Sequence, residues 1–237
     1  VHDPQDLDYG STVLASGQTS LVVDPPDGRI PAYTQAADDR AAVAAQRRES
    51  RGPADSWTDR SLNERCLTWG MPNGMLPQAY NNNIQIIQTP NEVMILTEMV
   101  HDARIVKLDK DTAVDENVGL WSGDSRGYWD DDTLVVVTQN FNGLTQSFDG
   151  FGTSKNKVLT ERFTRIGPLT INYEFTIDDP STFTDKLSAI VPMTKVESQL
   201  YEYACHEGNY GMANMLRGAR RKDANEVSDR VADLFRD

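Results

Sequence analysis

The sequence predicts a mainly β protein, an antiparallel meander closed or nearly closed into a barrel, with helices flanking it on both sides. Three observations carry that expectation. From Leu169 to Ile177 the side chains alternate without a break, Ile171, Tyr173, Phe175 and Ile177 on one face and Asn172, Glu174 and Thr176 on the other; this is the period of a half-buried strand. Tyr128-Trp129, the turn Asp130-Asp131-Asp132 and the run Thr133 to Gln139 read as a hairpin. Short apolar runs separated by turn residues recur from Asn83 to Met193, and closure is one way such a meander removes its edges. An open sheet packed on helices is the rival arrangement.

Residues 1 to about 18 are polar and aperiodic, an extended arm. Ser20 to Val23 reads as a short strand, stopped by the turn Asp24-Pro25-Pro26-Asp27-Gly28. Thr34 to Ser50 is an Ala-rich charged helix with a thin apolar face, ended by Gly52-Pro53. Ser61 and Glu64 have the spacing of a capping box and predict a short helix carrying Leu62 and Cys66. The segment Trp69 to Pro77 is irregular.

Strands follow. Ile84 to Thr89 and Glu92 to Met99 flank Pro90-Asn91 as a hairpin, and the second run is apolar on both faces, which predicts burial on both. Arg104 to Leu108 is its partner beyond a turn at Asp102-Ala103; Val158 to Ile166, Leu169 to Ile177 and Lys186 to Met193 complete the set. A helix is expected from Leu200 to about Leu216, weakened by Gly208 and Gly211. A second starts at Asp223 and buries Val227, Val231, Leu234 and Phe235. The expected organisation is one structural domain: an arm and helical flank over 1–82, the β body over 83–195 and terminal helices over 196–237.

A formal net charge of −13 over 237 residues argues against nucleic acid, whose phosphates call for a basic stripe, and against anionic membrane surfaces. The longest aliphatic run, Leu134 to Val137, is far too short to span a bilayer. Val1-His-Asp-Pro4 carries no basic or apolar stretch, as expected of a cytosolic protein or of a mature chain whose leader is gone. The two cysteines, Cys66 and Cys205, form no CxxC and are too few for a structural zinc site.

Of the three histidines, His2 sits in the arm, His101 ends a strand beside Asp102, and His206 falls in the expected 200–216 helix. There Tyr203, His206 and Tyr210 would share a flank, and Glu207 would project from a buried face. A carboxylate so placed must be paired or have a raised pKa. This predicts acid–base chemistry by His101 with His206 and Glu207 assisting, an imidazole being suited to proton transfer at neutral pH. Arg104, Arg126 and Asp124 would place the substrate, with Trp129, Tyr80 and Asn82 lining its pocket. The plainer alternative makes Asp102–Arg104 and Asp124–Arg126 turn-stabilising pairs and His206 part of a structural hydrogen-bond network.

Other chemistries find less support. His101, His206 and Glu207 could bind a metal, yet no HxH or HExxH spacing backs this. Asp109-Lys-Asp111 hints at calcium but lacks the glycine of an EF-hand loop. Gly150-Phe-Gly152 is no phosphate loop, and GxSxG is absent. No metal and no cofactor is expected.

Four phrases, Thr19-Ser-Leu-Val-Val-Asp-Pro-Pro-Asp-Gly-Arg-Ile-Pro31, His101-Asp-Ala-Arg104, Gly123-Asp-Ser-Arg-Gly-Tyr-Trp129 and Leu200-Tyr-Glu-Tyr-Ala-Cys-His-Glu-Gly-Asn-Tyr210, together resemble a broad, largely uncharacterised family of secreted bacterial proteins. The likeness runs from about residue 19 to residue 220. It implies a lipocalin-like β body and export to the periplasm or beyond. Both cysteine contexts match the family, and Asp131 stands where the hairpin usually has Gly. The cysteines admit two readings, buried thiols or a disulfide, and the resemblance favours the disulfide, hence an oxidising compartment. Closing so long a loop contributes roughly 4–5 kcal/mol.

The expected function is that of an exported, cofactor-independent lyase or isomerase acting on a small aromatic or polyol-like molecule in the barrel. A non-catalytic lipocalin-like carrier using the same cavity is the alternative. A third possibility is an interaction module whose terminal helix makes a homo-oligomer.

Overall fold

The computed structural model describes residues 17, 19–108, 114–144 and 154–233. The expected N-terminal arm, Asp109-Lys-Asp111, Gly150-Phe-Gly152, Leu234 and Phe235 lie outside the described residues. The chain divides into two compact units along lines unlike the three sequence segments. One comprises the residues up to Arg40 with Thr68–Tyr203; the other comprises Ala41–Leu67 with the residues from Ala204 onward.

The first unit holds a single sheet of nine strands: β1 Val22–Asp24, β2 Ile84–Gln88, β3 Glu92–Thr97, β4 Ala103–Lys107, β5 Asp124–Asp130, β6 Thr133–Gln139, β7 Val158–Gly167, β8 Thr170–Asp178 and β9 Leu187–Thr194. Their spatial order is β1-β9-β8-β7-β6-β5-β4-β3-β2. Every neighbouring pair is antiparallel except β4 and β5, which run parallel at Val106↔Ser125 and Lys107↔Arg126. A parallel pair cannot be joined by a tight hairpin turn, and residues 108–123 separate β4 from β5 in the sequence.

Two expectations are corrected here. The sheet is mixed, not wholly antiparallel. It is also open, since β1 and β2 are its two edges and do not pair with each other; the barrel is not formed, and the lipocalin-like body finds no support. Alternation tells which face of a strand is buried but carries no information on whether the end strands meet.

The inner face explains the strand patterns. One row runs unbroken across seven strands, Val93, Val106, Ser125, Thr138, Leu159, Ile177 and Leu187, each facing the next in register, and all are at most 2% exposed. Tyr173, Phe175 and Ile177 are fully buried on β8, as the alternation requires. Met71, Met75, Phe141 and Phe183 join this core from the connections. β3 buries Val93, Ile95 and Thr97, whereas Met94 and Leu96 are only half-buried, so the expected burial of both faces is corrected to one. Gly127 lies inward on β5, where a Cβ would stand 2.7 Å from Val106 Cγ1; the glycine lets β4 and β5 approach.

In the second unit, α1 (Gln35–Glu49) contributes its part from Ala41 onward, and α2 spans Tyr210–Asp233. The expected short helix after Ser61 is absent, and residues 62–66 form turns. The Ser61 hydroxyl and N–H both donate to the Glu64 carboxylate (2.7 and 3.0 Å), so the hydroxyl is not spent on a backbone N–H. The capping box that does form is Ser56 with Asp59, at the 3-10 turn Trp57–Asp59. Cys66 and Cys205 are joined in a disulfide.

The C-terminal expectation is also corrected. Residues 200–209 are not helical, and a single helix runs through Asp223 without a break. Asn209 sets its start, its Oδ1 accepting from the Met212 N–H at 3.2 Å, in keeping with asparagine's strength as an N-cap. Val227, expected to be buried, is 61% exposed.

Replacing Gly127 by Ala forces a methyl against Val106, and overpacking of this kind costs about 1–3 kcal/mol. The expected outcome is a lowered thermal midpoint with secondary structure retained, read by circular dichroism; an unchanged midpoint would contradict the close approach.

Candidate functional site

The connection from β3 to β4, Glu98 to Asp102, is tightly constrained. Val100 and His101 both take left-handed backbone conformations, φ 63° and 46°. Such values are unfavourable for any residue with a Cβ and most of all for a β-branched one, and Val100 is 4% exposed. Strain of this kind costs about 1–3 kcal/mol per residue and persists only where surrounding bonds over-determine it.

Those bonds are present. The Thr97 N–H donates to Asp102 O (3.0 Å) and the His101 N–H to Glu98 O (3.0 Å). The buried Glu98 carboxylate accepts from Asn83 Nδ2 (2.8 Å) and from the Tyr201 N–H (3.2 Å). Asp102 Oδ2 accepts from the hydroxyls of Thr68 and Ser122, each at 3.0 Å. His101 is exposed, and its Nδ1 lies 2.9 Å from Tyr203 O. A carbonyl only accepts, so Nδ1 carries the hydrogen and, in the neutral ring, Nε2 carries the lone pair. Tyr80 stands near enough to Tyr203 to act on its ionisation; burial first, then Tyr80, raises the Tyr203 pKa.

Inward of this corner, Arg104 leaves β4 on the buried face and pairs with Glu161 of β7, the two side chains 5% and 0% exposed. Nη1 donates to Oε2 and Nη2 to Oε1, the latter at 2.9 Å. The Tyr173 hydroxyl donates to Glu161 Oε1 at 2.9 Å, and Thr138 Oγ1 stands 3.5 Å from Arg104 Nη1 and 2.9 Å from Ser125 Oγ. Burial acts to lower the Arg104 pKa, but the Glu161 charge and hydrogen bonds outweigh it and the net direction is up. Burial and then Glu161 hold the Tyr173 phenol well above its usual value. The guanidinium therefore stays charged and the phenol neutral.

Lys157 is also buried, 1% exposed. Its ammonium donates to Met71 O at 2.7 Å and lies 4.0 Å from the centroid of the Phe141 ring. Burial lowers its pKa to about 8, against the opposing fields of Asp179 and Glu161. Asp179 accepts from Ser154, Ser181 and Thr182; burial raises its pKa, and these bonds outweigh that and hold it low.

The residues expected to form one site each have their own surroundings. Arg104 is locked to Glu161 and presents no side chain to a substrate. Arg126 makes a local pair with Asp124 on its own strand, Nη2 to Oδ2 at 2.9 Å. Asn82 closes a turn onto the backbone of Gln78, Trp129 is 49% exposed near the β5–β6 turn, and Tyr80 is half-buried. His206 and Glu207 belong to the second unit and are exposed; without a helix at 200–209, the common flank with Tyr203 and Tyr210 and the buried setting of Glu207 are not formed. Glu161, Tyr173, Lys157 and Glu98 went unremarked as polar centres in the sequence. For Glu161 a signal existed, a lone carboxylate between Leu159 and Phe163 on the apolar face of β7.

Asp102, Arg104, Thr97, Ser122, Trp69 and Met71 line part of a cavity with about 10 Å³ of room for water-sized occupants. Small-molecule pockets run to about 300–1,000 Å³. Among the described residues no group of three or more His, Cys, Asp or Glu is placed to hold a metal ion, and no helix is long and apolar enough to cross a membrane. Comparison of the chain with protein-family models, with curated proteins and with solved structures yields no match.

Two outcomes are expected. Glu161→Gln leaves the Arg104 charge buried without its counter-ion, and breaking such a pair costs about 3–5 kcal/mol; chemical denaturation should show a loss of that order. For Lys157 the folded pKa, about 8, lies below the ordinary 10.5. Below pH 8 both states are protonated and the folded state bears the whole burial penalty. Between those values only the unfolded state holds the proton, so stability rises with pH. In Lys157→Met that contribution disappears, and thermal midpoints measured from pH 7 to 10 should show the wild type gaining on the variant.

Proposed function

We propose that the protein is a cofactor-independent acid–base enzyme of lyase or isomerase type, acting on a small aromatic or polyol-like molecule at the Glu98–Asp102 corner. The observation that carries this reading is the doubly left-handed backbone at Val100 and His101, held by buried Glu98 and doubly bonded Asp102 and presenting an exposed imidazole. Strain of this kind gathers at active sites. With Nδ1 committed to the Tyr203 carbonyl, Nε2 is the base in the neutral ring. The adjacent tyrosines, Tyr80 and Tyr203, supply ring surfaces for an aromatic substrate. His206 and Glu207 have no assigned part in this reading. The disulfide is compatible with a periplasmic or secreted location.

Tyr80 and Tyr203 also favour a second reading, non-catalytic binding of a small ring compound at the same surface. Proton NMR in deuterium oxide separates the two, with a panel of aryl and polyhydroxy carbonyl compounds as probes. The enzyme exchanges a substrate C–H for deuterium. His101→Asn, chosen because asparagine tolerates the left-handed conformation, should slow that exchange by roughly 10²–10⁴ while line broadening by bound ligand persists. Binding without exchange in the wild type selects the second reading, and an undiminished rate in the variant removes His101 from the chemistry.

A further inference from the structure

We propose that β2 is a pairing edge for a second copy of this chain, the two β2 strands running antiparallel about a two-fold axis at Ile86 and joining two sheets into one. The first support is the contrast between the two edges. An open edge strand invites another strand, and sheets blunt their edges by shortness, charge, proline or irregular register. β1 has all four: three residues, Asp24 at its end, Pro25-Pro26 directly after, and a shift of register between Val22 and Asp24. β2 has none of them. Ile84-Gln-Ile-Ile-Gln88 is uncharged, contains no proline, and follows β3 in unbroken register.

The second support is the direction of the backbone groups. Asn83 O accepts from the Glu98 N–H (2.9 Å), and the Thr89 N–H donates to Glu92 O (2.8 Å), so residues 83 and 89 turn their polar groups towards β3. These groups alternate sides along a strand, which leaves Ile84, Ile86 and Gln88 with theirs pointing away from β3. Among the described residues no other backbone group bonds to them. An axis at Ile86 sets Ile86 opposite its own equivalent and Ile84 opposite the other copy's Gln88. Each outward N–H and C=O then has a partner, with none left over.

Third, nothing charged opposes the union. Residues 81–91 hold no charged side chain, and the next residue, Glu92, faces Lys107 of opposite sign. On the outer face Ile87, Met94 and Ile105 lie in one row, with Ile87 42% and Ile105 45% exposed. The axis brings the two Ile87 side chains into diagonal positions on one face, where the apolar row of one copy continues into that of the other. An incoming charged strand would bring its charge against isoleucine; a second β2 matches the edge in polarity, length and register. The inference stands independently of the acid–base reading above.

Sedimentation velocity over a range of protein concentrations should show a monomer–dimer equilibrium. Both copies carry a net charge of −13, and salt screens their long-range repulsion, so the dimer should tighten as ionic strength rises. Gln88→Pro removes one outward N–H from each copy, at a position where proline is tolerated, an edge strand with the N–H facing solvent. Two backbone bonds are lost by symmetry, and the dissociation constant should rise by roughly tenfold or more, with the far-ultraviolet circular dichroism unchanged. Amide exchange of the wild type needs no variant. The N–H groups of Ile84, Ile86 and Gln88 should be protected in concentrated and not in dilute solution, while those of Gln85 and Ile87, turned towards β3, are protected in both. A wild-type chain that stays monomeric overturns the proposal, whatever other strand its edge accepts. So does a dimer that Gln88→Pro leaves unweakened, or one whose formation leaves exchange at Ile84, Ile86 and Gln88 unchanged.

Discussion

The ion pair of Arg104 with Glu161 ties the sheet together from the inside. It joins β4 to β7 across the buried face, and the Tyr173 hydroxyl brings in β8. Neither charge is tolerable there alone, since desolvating an isolated ion costs several kcal/mol or more. Bidentate geometry, the phenol and the hydroxyls of Thr138 and Ser125 supply the compensation. Apolar side chains of similar size could fill the space, whereas a two-pronged hydrogen-bonded fork adds a directional constraint between its strands. Among the described strands the one parallel pair, β4 on β5, lies within the span from β4 to β7.

Around it the unit sorts its polar groups by depth. Lys157 and Asp179 are buried and hydrogen-bonded, Asp102 stands half-buried with two hydroxyl donors, and His101 reaches the surface. The groups most perturbed by burial, Lys157 and Tyr173, are sealed from any solute larger than water. Of these groups, those at the rim are the ones open to an outside molecule.

Much of the strand content was legible because period-two alternation is a local property. β8 could be read from Ile171, Tyr173, Phe175 and Ile177 alone, and the β5–β6 hairpin from its turn. What escaped was non-local. Nothing in Lys107 or Arg126 announces that their strands run parallel, and nothing in Val22 says that its strand is an edge. The 200–209 stretch misled for a different reason: spacing suggested a helical face, but Asn209 caps a helix that begins after it, and two glycines nearby weaken any earlier start. At the corner, the His101 and Asp102 identities stood in the sequence, whereas the φ angles of Val100 and His101 depend on Glu98, Asn83 and Tyr201 meeting in space.

Strand β1 has a further implication. Val22 faces Ala189 and Asp24 faces Ser188, so the first strand of the sheet is hydrogen-bonded to the last. During synthesis the ribosome delivers β1 before β9 exists to receive it. Strands β2 to β8 can each pair with a neighbour close by in the chain as they emerge, but β1 must wait, unpaired, until β9 has been made. Assembly of this sheet is finished by its oldest piece.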